Sequence, residues 1–137
     1  MNSRRLLFSR LLIGLVFAWN VQAAAIFIVK PGAFVGAYEL SGAAGEAAVR
    51  GVGVLFLMWN VPYAAALWHP VHYRLALNLA LVMQAIGLAG ETFIRLSLPD
   101  GHAALSASIL RFILFDGTGL VLLILAFWLV KHESDTR

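Results

Sequence analysis

Five ionisable residues in this chain stand where charge is unfavourable: Arg50, Glu91, Arg95, Arg111 and Asp116 lie inside or at the ends of long apolar runs. The stretch RFILFDGTGL, residues 111 to 120, sets Arg111 and Asp116 at the head of a run with no further charge until Lys131. Carboxylates and guanidinium groups in such surroundings clamp helices together, bind a polar or charged ligand, or carry a proton or cation. A second, uncharged set is Asn20, Asn60 and Gln84, residue types that hydrogen-bond between apolar helices. Other chemistries find no support. The chain has no cysteine, which excludes disulfides, thiol redox chemistry, Cys-ligated zinc and iron–sulfur clusters. His69-Pro70-Val71-His72 offers two imidazoles, but the proline breaks helical spacing and no third ligand is nearby, so it reads as an interfacial turn. Haem ligation by two histidines needs them within the apolar runs, and none lies well inside one. Trp19 and Trp59 read as packing residues, not a cofactor cage. No Ser–His–Asp arrangement, phosphate loop or metalloprotease motif is present. No catalytic residue and no metal ligand is assigned, and the pattern leads away from an enzyme.

The elements that must position these groups follow from composition. The chain is 61% hydrophobic and 12% charged, against about 45–50% and about 25% for a soluble domain, and its mean hydropathy is +0.86. The net charge of +3 is scattered among apolar runs and forms no basic stripe, which excludes a nucleic-acid face. A membrane-crossing helix needs about 20 apolar residues, and four runs meet that length: 11–29, 51–68, 75–98 and 108–130. Lys30-Pro31, His69-Pro70, Pro99-Asp100-Gly101 and Lys131 close them. The opening MNSRR, an apolar stretch and Val21-Gln22-Ala23 also have the form of a cleaved signal peptide. Arg10 interrupts that pattern and the apolar run continues to Val29, so a retained span is expected.

These runs predict an all-α, integral-membrane four-helix up-down bundle of one domain, since short turns force antiparallel neighbours. Residues 31–50, PGAFVGAYELSGAAGEAAVR, are too polar to span. They are expected to form a loop with a short interfacial helix at 42–50, N-capped by Ser41, over the outer end of the bundle. Arg4, Arg5, Arg10, Arg74, Lys131 and Arg137 fall on one side of the spans. Lys30, Arg50, Arg95 and Arg111 fall on the other, the last three at or inside helix ends. The protein is therefore expected to be multi-pass, with both termini cytoplasmic. Tyr63, Trp68, Tyr73 and Trp128 are expected in the aromatic belt at that face.

Folding spans 3 and 4 about their turn places Glu91 and Arg111 at similar depth, about 10–12 Å from it. Arg95 follows Glu91 by four residues and shares its face, and Arg50 comes level with residues 91–93. The expected arrangement pairs Glu91 with Arg111 and Arg95. Arg111 and Asp116 are about 140° apart around a helix, so at least one needs a partner on a neighbouring helix: Asp116 pairs with Arg50 or Arg111, or is protonated. Asn20, Asn60 and Gln84 form a separate layer near mid-membrane, while Gly53, Ala64, Gly87, Gly90, Gly117 and Gly119 allow close helix contact.

The segment AAVRGVGVLFL (47–57), the third span ending GLAGETFIRLSLPDG and the fourth opening RFILFDG together resemble the DoxX-like superfamily of small four-helix bacterial membrane proteins, across most of the chain. The resemblance implies an integral membrane protein, sometimes associated with redox or quinone-linked partners. The expectation is a small non-enzymatic membrane protein, an accessory subunit or a lipid- or quinone-binding bundle. Its partners would be membrane lipid, another membrane protein or a second copy of itself. The alternative is a dimeric transporter or channel using Asp116 or Glu91 as its coupling carboxylate.

Overall fold

The computed structural model describes residues 3–134, with side chains as far as Lys131. Arg137 of the orientation count, and Met1 and Asn2 of the leader pattern, lie outside the described residues. Four helices carry the fold: α1 (Ser3–Val29), α2 (Gly42–Trp68), α3 (Arg74–Ser97) and α4 (Ala103–Ser134), with 3-10 turns at Pro31–Ala33 and Val35–Tyr38. No strand occurs among the described residues. All four helices are long and apolar enough to cross a membrane.

Prolines set most of the boundaries. A residue before proline is pushed out of the α region. Lys30 accordingly adopts φ −129° and ψ 53° ahead of Pro31, and Leu98 adopts φ −66° and ψ 132° ahead of Pro99. His69 closes α2 ahead of Pro70, and its Nδ1 accepts the backbone N–H of His72 at 3.1 Å, tightening the turn into α3. Pro62 lies inside α2, where its missing N–H leaves the Met58 carbonyl without an intrahelical donor.

One element differs from expectation. The interfacial helix expected at 42–50 is not separate: α2 runs unbroken from Gly42. Alanine-rich sequence propagates helix readily, and the helix carries on through Gly51 and Gly53 with no proline to stop it before Pro62. Ser41 takes the N-cap position with extended backbone, but its side chain makes no capping bond.

Helix α1 packs against α2 and α4, and α3 packs against α2 and α4, while the backbones of the diagonal pairs stay apart. The α1–α2 crossing is tight. Gly53 lies where an added Cβ would stand 2.9 Å from the Ala24 carbonyl oxygen and 3.0 Å from Phe27 Cβ, so only glycine fits without movement.

The bundle has two unlike halves. Near the 69–73 turn, Ile13, Val16, Tyr63, Ala66, Leu77, Ala80, Leu123, Ala126 and Val130 make a closed core from all four helices. Toward the other end the helices enclose a cavity. That end is covered by the 31–41 segment, which packs on α2 and α4.

Candidate functional site

The cavity has a volume of about 590 Å³, within the roughly 300–1,000 Å³ typical of small-molecule sites. Its walls are mostly aromatic. Phe27 of α1 is the hub: its ring centroid lies 4.7 Å from Phe34, 5.9 Å from Phe56 and 6.1 Å from Phe112. Trp19 meets Phe115 at 5.3 Å and Phe56 meets Trp59 at 5.8 Å, so rings from α1, α2, α4 and the covering segment all contribute. Trp59, expected to be packed, is instead half-exposed and lines the cavity. Such rings arise at helical spacing on each helix, which is why one face of each presents them.

At the deep end three helices are joined by a chain of side-chain hydrogen bonds. Tyr63 on α2 donates its hydroxyl proton to Gln84 Oε1 on α3 at 2.5 Å, and also lies 3.2 Å from the Ala80 carbonyl. Gln84 Nε2 in turn donates to Asp116 Oδ1 on α4 at 2.9 Å. Two glycines make room for it. An added Cβ at Gly87 would stand 2.6 Å from Asp116 Oδ2, and one at Gly119 would stand 2.8 Å from Gln84 Nε2. Their absent side chains accommodate the polar pair as well as the helix contact.

Of the five charged residues expected to gather, three line this cavity: Glu91, Arg111 and Asp116. Arg50 does not join them; its Nε donates to the Ile28 carbonyl at 3.2 Å, near the end of α1. Arg95 also stays outside, and its buried Nε has no partner. The expected pairing of Glu91 with Arg111 and Arg95 is not formed: neither guanidinium is within 4.0 Å of the carboxylate. Glu91 and Arg111 face the same cavity without closing on each other, so the open space takes the place of the ion pair. Asp116 finds its partner on a neighbouring helix, the uncharged Gln84, not Arg50 or Arg111.

The second polar set is not a separate layer. Asn20, Asn60 and Gln84 all line the same cavity as the carboxylates. Asn60 is 4% exposed; its Nδ2 donates to the Phe56 carbonyl at 2.6 Å and its Oδ1 has no partner. Tyr63, expected in an interfacial belt, is 3% exposed and belongs to the deep hydrogen-bond chain. Its signal in the sequence was spacing: Tyr63 follows Asn60 by three residues and shares its face.

The cover is pinned by a residue the sequence did not single out. Glu39, in the left-handed conformation at φ 55°, reaches the start of α4. There its carboxylate sits 2.5 Å from His102 Nδ1 and accepts the Leu105 N–H at 3.2 Å. A carboxylate at a helix N-terminus satisfies donors that have no intrahelical acceptor. The His102 contact, followed by the backbone N–H bonds, holds the Glu39 carboxyl below the usual glutamate range. Tyr38, next to it, meets Phe27 edge-to-face and Phe112 at a tilt. Burial, and then the charge of Glu91, push its hydroxyl up to about 12, with Arg111 pulling the other way.

Two seams carry the exposed part of the lining. Trp59, Ile86, Gly90 and Ile94 lie along α2 and α3, and Gln22, Ile26 and Arg111 along α1 and α4. No family model, curated protein or solved structure matches the chain.

Proposed function

We propose that this protein is a non-enzymatic, multi-pass membrane protein that holds a lipid-soluble molecule in the cavity between its four helices. The observation that carries this reading is a cavity of about 590 Å³ with aromatic walls and a converging set of polar groups, Tyr63, Gln84, Glu91 and Asp116. Apolar pockets with a few placed polar groups are the usual form of a small-molecule site. Intramembrane ionisable groups are rare except where they serve a ligand, an ion or each other. The charge distribution supports cytoplasmic termini, the short turns support an up-down bundle, and the DoxX-like resemblance would place it in a bacterial inner membrane. The covered end then faces away from the cytoplasm, and the two seams open to lipid. A lipid or a quinone-type molecule is the broad ligand class, and an accessory role beside another membrane protein accommodates it.

Native mass spectrometry of protein extracted gently from its own membrane tests this. The expected result is a stoichiometric small molecule, released by Ala23→Trp, which fills the cavity from α1. A bare chain with nothing bound would overturn the reading. A second reading, a dimeric transporter, is favoured by one observation: carboxylates from α3 and α4 share a cavity with two exposed seams. It requires that Asp116→Asn or Glu91→Gln abolish flux in proteoliposomes while the fold survives.

A further inference from the structure

We infer that the cavity takes the protonated amine of a lipid-soluble amphiphile, its N–H groups held by the carboxylates of Asp116 and Glu91. This rests on the binding reading above and names the ligand's chemistry.

The donors of the deep end are already committed. The Tyr63 hydroxyl gives its proton to Gln84, and Gln84 Nε2 faces Asp116. Beside the carboxylates what remains open is acceptor capacity, because Arg111, the guanidinium of the lining, is exposed at the α1–α4 seam and pairs with neither. The Glu91 carboxylate has no hydrogen bond or ion pair among the described residues. The complement of this part of the wall is a group that donates.

Charge points the same way. Asp116 and Glu91 open on the same cavity, and neither is ion-paired among the described residues. A quinone carbonyl or a carboxylate head would set acceptor against acceptor at these two groups. A neutral hydroxyl donates but brings the carboxylates no counter-charge. An ammonium supplies both donor and charge, and the faces of Trp19, Phe27, Phe56 and Trp59 attract cations.

The test uses the full chain in phosphatidylcholine nanodiscs, with Trp68→Phe and Trp128→Phe so that emission comes from Trp19 and Trp59. Four probes of equal chain length are titrated against empty nanodiscs: dodecylammonium, dodecyltrimethylammonium, dodecanol and dodecanoate. Dodecylammonium should saturate the signal at the lowest concentration per lipid. The trimethylated probe keeps the charge but has no N–H, and should bind about tenfold more weakly. Asp116→Asn should weaken dodecylammonium by a similar factor and leave dodecanol unchanged. Dodecanol or dodecanoate binding as well as dodecylammonium would overturn the inference. So would the absence of saturation by dodecylammonium. In either case, a non-amine molecule found by native mass spectrometry would leave the binding reading standing. A bare chain would remove that reading too.

Discussion

Glycine 87 offers a direct perturbation of the deep polar chain. A Cβ there would stand 2.6 Å from Asp116 Oδ2 and 3.5 Å from its Cγ, so the Asp116 carboxylate must turn away in Gly87→Ala. Gln84 cannot follow it freely, because its Nε2 already rests against Gly119. The Gln84–Asp116 bond is then lost, at about 1.5–3 kcal/mol for a hydrogen bond to a charged group. Alanine returns at most about 1 kcal/mol through helix propensity. The difference is a destabilisation of about 0.5–2 kcal/mol. Gly90→Ala on the same helix is the control: nothing lies within 4 Å of its added Cβ, so it should be neutral or stabilising. Reversible unfolding in micelles, followed by helical circular dichroism, reads both. In an Asp116→Ala background the obstruction is gone, and Gly87→Ala should behave like Gly90→Ala. Equal effects of the two alanines in the native background would refute the proposed obstruction. So would an undiminished penalty at Gly87 after Asp116 is removed.

Three further outcomes follow from the geometry. Gly53→Ala meets the Ala24 carbonyl oxygen at 2.9 Å, which cannot move without its helix; a loss of about 1–3 kcal/mol is expected in the same unfolding assay. Tyr63→Phe removes the donor to Gln84 Oε1 and should cost about 0.6 kcal/mol, with about 1.7 as the ceiling for such bonds in bilayers; a neutral result would show that the bond contributes nothing. Glu39 ionises below its ordinary range, so its stabilising contribution is complete above the unfolded-state value and is lost as pH falls through the folded one. Protection of the Leu105 amide, corrected for the intrinsic exchange rate at each pH, should therefore fall below the usual glutamate range, and Glu39→Gln should remove that pH dependence.

The four helices were legible because length, apolar composition and proline are local properties. The continuity of α2 was not: Glu46 and Arg50 suggested a boundary, yet helix propensity carries through them, and both are exposed. At the site, depth was legible and direction was not. Counting residues put Glu91 and Arg111 at the same level of the bundle, where they line one cavity, but it set Gln84 in a layer apart from Asp116, to which it is bonded. It could not show that Glu91 and Arg111 stay apart, because a cavity is a failure of packing that spacing does not encode. Gly87 and Gly119 were read as helix-contact residues, and the polar atoms beside them belong to another helix. Glu39 and His102 are 63 residues apart, and only the folded topology brings them together.

The size of the cavity constrains what can occupy it. A cavity of about 590 Å³ with two exposed seams does not stand empty in a bilayer under the proposed reading: an acyl chain is always at hand to enter by a seam. Hydrocarbon tails are as apolar as the walls they would touch, so the aromatic lining gives a ligand little advantage over lipid. On the proposed reading, selection comes from the groups lipid tails cannot satisfy, the carboxylates of Glu91 and Asp116. The expectation is that affinity, measured per membrane-bound probe, changes little between octylammonium and dodecylammonium. Exchanging the ammonium for a hydroxyl at fixed chain length should lower it about tenfold or more. Tryptophan titrations in nanodiscs resolve the two series. An affinity that followed chain length and ignored the head group would mean that the carboxylates only hold the helices, and that the cavity is a berth for lipid.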